Sequence, residues 1–221
     1  TGIIVPCYDG KFFFKKGYAN LDILKGKEKN GKWFASAKFR CLNSKTKIDD
    51  SELGNWLSYF QVCVNIARGV KRLHSAGLAH SDLSYNNVLI DPITGSANII
   101  DIDGLVVPGL FNPEVIGTAD FIAPEVMATK HLPITDQSRK LPSRTTDLHA
   151  LAVLIYMYLL YRHPLRGGRY FGQIDEVEEE NFMMGSKALF VEHPTDNSNR
   201  NFKREYGDNL EKFKPWTDLS K

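Results

Sequence analysis

Most of the chemistry-bearing side chains fall in two short runs: His80-Ser81-Asp82-Leu83-Ser84-Tyr85-Asn86-Asn87, and then Ile99-Ile100-Asp101-Ile102-Asp103-Gly104. Phosphoryl transfer uses such a set. One carboxylate receives or orients the proton of the attacking hydroxyl, while an amide oxygen and a second carboxylate hold Mg²⁺ against the phosphates. The two runs contain carboxylates and amide oxygens that could supply those three groups. Asp103 lies two residues past Asp101 and in extended backbone would face the same way, which makes it a further candidate ligand. Any one of these aspartates alone would be read as a turn or cap residue; the four positions in this order favour the chemistry.

Such groups must converge, and the intervening sequence supplies the means. Asn87 to Ile90 and Ala97 to Ile100 are short apolar runs around Asp91-Pro92-Ile93-Thr94-Gly95, which is turn chemistry and predicts a β-hairpin. Upstream, Asp49 and Glu52 have capping-box spacing. Leu53, Trp56, Leu57, Phe60, Val64, Ala67 and Val70 then recur at intervals of three and four, predicting a helix of about six turns that stops near Gly77. Thr146 to Tyr161 is apolar on nearly every face and predicts a helix buried in a domain interior. Asp101 to Glu125, with Pro108, Gly109, Pro113 and Gly117, reads as an ordered loop. Residues 1–48 read as short strands and loops, and the part beyond Arg162 as loop-rich, with an acidic run at Asp175 to Glu180.

The pattern H-x-D-L-x-x-x-N over His80 to Asn87 resembles the catalytic loop of protein kinases. Gly117-Thr118-Ala119-Asp120-Phe121-Ile122-Ala123-Pro124-Glu125 is similar to the segment that closes their activation loop. Asp147 resembles the aspartate that anchors the catalytic-loop backbone, and His163-Pro164-Leu165 a short motif after that helix. The likeness covers residues 50–170 best and is nearest to eukaryotic-like Ser/Thr kinases of bacteria with an HSDLS-type loop and an IDxDG metal motif. It implies a mainly α fold with a small β-hairpin, a protein-kinase-like C-terminal lobe over 49–221, and the end of a small lobe, hinge and connecting loops over 1–48, with both ends truncated. It implies ATP and Mg²⁺ as cofactors and Asp82 as catalytic base. Asn87, Asp101 and Asp103 become metal ligands, Thr118 a partner of Asp82, and Val5 and Pro6 part of the nucleotide-binding hinge.

The likeness is broken at informative places. Ser81 stands where the family has an arginine that pairs with an activation-loop phosphate, and Thr118 is the only Ser, Thr or Tyr between Asp101 and Glu125. Constitutive or partner-controlled activity follows as the expectation, with a regulatory protein as a possible partner. Ser84 replaces the lysine that neutralises charge on the transferring group. No G-x-G-x-x-G precedes Asp82, and the phosphate-binding lysine and Gly-rich loop are expected outside this chain. Three readings stay open: a Ser/Thr kinase acting on protein substrates, a pseudokinase that binds partners without catalysis, and a small-molecule kinase of the aminoglycoside or choline type.

Bulk properties narrow the alternatives. In 221 residues, 28 basic and 26 acidic side chains leave a net charge of +2, with no basic stripe, so nucleic acid is not an expected partner. Cys7, Cys41 and Cys63 have neither CxxC nor zinc-ligand spacing and read as reduced thiols, which points to the cytoplasm. The longest apolar run, Leu148 to Tyr161, is shorter than the roughly 18 residues that suggest a membrane span.

Overall fold

The computed structural model describes residues 7–16, 24–36, 40, 48–110, 116–169 and 175–200. Val5 and Pro6 lie outside the described residues, as does the apolar patch Gly2 to Pro6. Five helices are described: α1 (Asp50–Leu53), α2 (Trp56–Ser75), α3 (Pro124–Thr129), α4 (Arg144–Leu160) and α5 (Glu176–Met183). A single antiparallel hairpin pairs β1 (Val88–Asp91) with β2 (Ser96–Ile99) in the register Val88↔Ile99 to Asp91↔Ser96. The expected mainly α fold with one small hairpin thus holds among these residues. No described helix is long and apolar enough to cross a membrane.

The helix expected from Asp49 to His74 is two helices. Gly54 breaks it at φ 67° and ψ −161°, a conformation open essentially to glycine, and a Cβ there would sit 2.0 Å from the Pro92 carbonyl oxygen. The expected Asp49–Glu52 capping box is absent as well. Asp49 caps α1 through the Ser51 amide, and the true capping box belongs to α2, between Asn55 and Ser58. Glu52 is buried instead, accepting the Lys15 and Lys16 amides at 2.7 and 2.9 Å and pairing with Lys29 Nζ at 2.8 Å. Lys29, 2% exposed, also meets Asp91 Oδ1 at 3.0 Å.

The core forms where α2 and α4 cross under the hairpin. Tyr59, Val62, Cys63, Ile66 and Val70 make the buried face of α2, and Ala150, Val153, Leu154, Met157 and Tyr158 answer from α4. Burying side chains of this size contributes about 1.5–3 kcal/mol each. At Gly69 the helix touches the hairpin, since a Cβ there would lie 2.9 Å from Ile99 Cδ1. Burial pushes the Cys63 thiol up to about 12, which keeps it protonated. Phe14, Leu24, Phe34, Ala35 and Ile48 join the same cluster from the first segment. There the described residues form turns, Gly10–Phe12 and Gly31–Trp33, and isolated bridges, not the expected strands.

α4 begins at Arg144, two residues earlier than expected, because Ser143 and Thr146 cap each other's backbone amides. The acidic run expected as loop is the first part of α5, with Asp175 as its N-cap accepting the Val177 amide at 3.1 Å. Met183 and Met184 pack with Ile122, Ala123, Val126 and Met127 into a second, smaller cluster that seats α3.

Candidate functional site

The loop from His80 to Asn87 is held from below by α4. Asp147, 2% exposed in the first turn of that helix, accepts the His80 amide at 2.7 Å and the Ser81 amide at 3.2 Å, and it meets His74 Nε2 at 2.9 Å. Backbone exchange between Ala79 and Val106, 2.9 Å each way, fixes the entrance to the loop, and His80 Nε2 meets the Ile100 carbonyl at 3.0 Å. Leu83 inserts into the core. Ser84 is fully buried; its hydroxyl accepts the Asn86 amide at 3.2 Å and starts the turn Tyr85–Asn87 that delivers Asn87 to the hairpin.

Asp82 is held by side chains from two segments. Its Oδ1 accepts both the amide and the hydroxyl of Thr118, at 2.5 and 2.6 Å, while Asn87 Nδ2 donates to Oδ2 at 3.1 Å and to the Asp82 carbonyl at 2.8 Å. The Thr118 contact is the one its place in the sequence implied. Because the Asn87 amide nitrogen faces Asp82, its oxygen is turned the other way. Gly117, at φ 117°, lets the segment of Thr118 approach; a Cβ there would be 3.3 Å from the Ser81 carbonyl oxygen and 3.9 Å from Asp82 Oδ1.

Asp101 follows directly, because the Ile100 amide donates to the Asn87 carbonyl at 2.9 Å. Its backbone is left-handed, at φ 59° and ψ 54°, and Ile102–Gly104 form a 3-10 turn. The extended geometry expected to align Asp101 with Asp103 is therefore absent, and both residues are exposed. Among the described residues no three His, Cys, Asp or Glu side chains cluster as a metal site. The candidate set is two carboxylates with one amide oxygen, hard donors that suit Mg²⁺ with water completing its shell.

On the far side of Asp82 a narrow cleft lies between the loop, Thr118, Phe121 and Ile122 and the α4 residues Thr146, Asp147 and Ala150. Its outer wall is positioned by contacts between the motif residues Asp120 and His163, and by Arg166, which the sequence pattern did not reveal. Asp120 adopts φ 79°, its carboxylate pairs with Arg166 at 2.7 Å, and its carbonyl meets His163 Nε2 at 2.8 Å. The Leu165 amide donates to His163 Nδ1 at 3.1 Å, so the ring's proton sits on Nε2 and is donated to Asp120. Burial pushes the His163 imidazole down to about 4. The Tyr85 ring stands edge-on to Phe121, 4.9 Å between centroids, and burial, with Asp120 nearby, raises its phenol.

Residues 35–213 match the protein-family model described as "Protein kinase domain". The "Dual serine/threonine and tyrosine protein kinase" of Apis mellifera is 27% identical over 109 residues, covering 49% of this chain and 10% of that protein. "Serine/threonine-protein kinase PSK1" of Saccharomyces cerevisiae is 30% identical over 124 residues, 52% of this chain and 8% of that protein. "Serine/threonine-protein kinase ppk21" of Schizosaccharomyces pombe is 30% identical over 111 residues, 46% and 18% respectively. The matched stretches thus span less than a fifth of these relatives' lengths.

Proposed function

Because this chain belongs to the protein kinase domain family, we propose that it transfers the γ-phosphoryl group of ATP, with Mg²⁺, to serine or threonine hydroxyls of protein substrates. The described helices and hairpin are the large, C-terminal lobe of that catalytic unit. The observation that carries the reading is the Asp82 carboxylate, with Oδ1 bonded twice to Thr118 and, among the described residues, Oδ2 bonded to Asn87 alone. A carboxylate so oriented keeps acceptor capacity on Oδ2 for an incoming hydroxyl.

Asn87, through its amide oxygen, and Asp101 would hold Mg²⁺, with Asp103 beside them. When bound, that metal would neutralise charge on the phosphates. This chain's own residues do the remaining work: Asp82 orients and receives the hydroxyl proton, Thr118 fixes the carboxylate plane, and Asp147 keeps the loop's amides aligned. The segment from Gly117 to Pro124 is tied to Asp82 through Thr118, and its likeness to a peptide-binding activation segment favours a protein acceptor over a small molecule.

One observation favours a second reading, nucleotide binding without transfer. Ser84 stands where the protein-kinase pattern has a lysine, but it is fully buried and committed to the Asn86 amide, so it brings no cation to the phosphates. Incubating the full-length protein with labelled ATP, Mg²⁺ and a generic protein substrate separates the two. Labelled phosphoserine or phosphothreonine that disappears in Asp82→Ala and Asp101→Ala supports transfer. Label no higher than in those variants rejects it.

A further inference from the structure

Ser81 has a role that the phosphotransfer reading leaves open. Its backbone sits at φ 64°, in the left-handed region where residues other than glycine, asparagine and aspartate are strained by roughly 1–3 kcal/mol. Two contacts accompany that conformation. The Ser81 amide points down to Asp147 Oδ1 at 3.2 Å, and the hydroxyl points up, donating to the Gly104 carbonyl at 2.7 Å. Gly104 closes the 3-10 turn that carries Asp103 and follows Asp101.

The turn is otherwise fastened at its ends. Ile100 is held on one side by the Asn87 carbonyl and His80 Nε2, and Val106 is held on the other by the Ala79 backbone. Between those points, the Leu105 amide closes the turn on the Ile102 carbonyl at 3.2 Å, and the Ser81 hydroxyl is the side-chain tie from the catalytic loop. Thr118, the only hydroxyl residue between Asp101 and Glu125, is already bonded to Asp82. A phosphate within that segment is therefore not the device that orders it.

We propose that Ser81 is a positioning residue: its hydroxyl fastens the catalytic loop to the acid-bearing turn Asp101–Gly104 and sets the metal-side carboxylates without phosphorylation of the segment that follows. The inference rests on the phosphotransfer reading for its consequence in turnover, but the tie itself is independent of it.

The test compares wild type with Ser81→Ala and Ser81→Gly in the full-length protein, with Asp82→Ala as the activity control. Both substitutions remove the hydroxyl, but glycine is at ease at φ 64°, so thermal stability should fall in the alanine variant and be kept or raised in the glycine variant. Amide exchange at Leu105 should quicken about fivefold in both, the factor that one ordinary hydrogen bond represents. The Mg²⁺ concentration for half-maximal transfer should rise by a similar factor, with little change in KM for the protein substrate. Wild-type exchange at Leu105 in Ser81→Gly would overturn the proposal. If wild type shows no transfer above Asp82→Ala, the phosphotransfer reading fails, and the exchange rates alone still decide whether Ser81 fastens the turn.

Discussion

Replacing Asp147 by asparagine keeps the volume but removes one charge and one acceptor from a site with three donors. The best placement leaves the amide oxygen where Oδ2 was, keeping the His80 amide and His74 at 2.7 and 2.9 Å, and turns the NH₂ toward the Ser81 amide formerly bonded at 3.2 Å. Two donors then face each other in a group that is 2% exposed. Losing a hydrogen bond to a charged acceptor costs about 1.5–3 kcal/mol, and the two survivors weaken by roughly half on becoming neutral. The sum is about 3–6 kcal/mol, against a total stability on the order of 5–15 kcal/mol, so the variant folds wherever wild-type stability lies above the low end of that range. Urea denaturation should show the midpoint lower by about 1.5 M, taking an m-value of about 2.5 kcal/mol/M. Turnover measured well below that midpoint should also fall, because Ser81 and Asp82 are adjacent on the loop. A loss under about 1 kcal/mol, or a destabilised variant with unchanged turnover, would refute the idea that this carboxylate aligns the loop.

Thr118→Val keeps the amide bond to Asp82 but removes the hydroxyl bond; turnover should fall about 10- to 100-fold with KM for ATP held, and Thr118→Ser should recover most of it in a steady-state assay. The His163 imidazole lies at about 4, below its ordinary 6.5, so the unfolded chain takes up a proton that the folded chain refuses as pH falls through that interval. Stability should thus drop by about 3 kcal/mol between pH 6.5 and pH 4 from this residue, read as the difference in denaturation midpoints between wild type and His163→Gln; parallel pH profiles would contradict it. Gly54→Ala places a Cβ against the Pro92 carbonyl in a backbone region that alanine avoids and should lower stability by about 3 kcal/mol or more by calorimetry, with a near-neutral result ruling out the break between α1 and α2.

What was legible in the sequence was whatever has a local cause. Turn residues at Asp91 to Gly95 marked the hairpin, an unbroken apolar run marked α4, and the fixed order of Asp82, Asn87, Asp101 and Thr118 marked the site. Position along the chain did not show where Glu52 goes. It has the spacing of a cap, yet it serves as an acceptor for amides 36 and 37 residues away, and such long-range demands leave no periodic trace. The same holds for Gly54, which a helical pattern tolerates until the neighbouring Pro92 carbonyl is known. It holds for Asp101 and Asp103 as well, whose alternation suggested extended backbone while Ser81 and the Ala79 bridge bend the segment into a turn. Asp175 to Glu180 shows the converse: a run of like charge hid an adequate cap at Asp175.

Lys29 couples the order of synthesis to the order of folding. Its ammonium is buried between Glu52 and Asp91, and its carbonyl takes the Ile90 amide, so the outer edge of β1 is covered by a segment made 62 residues earlier. A ribosome adding about 5–20 residues per second leaves Lys29 without its second carboxylate for roughly 3–12 s. During that interval the charge is best kept in water, and the described residues bonded to Lys29 complete their burial only once Asp91 and its hairpin have emerged.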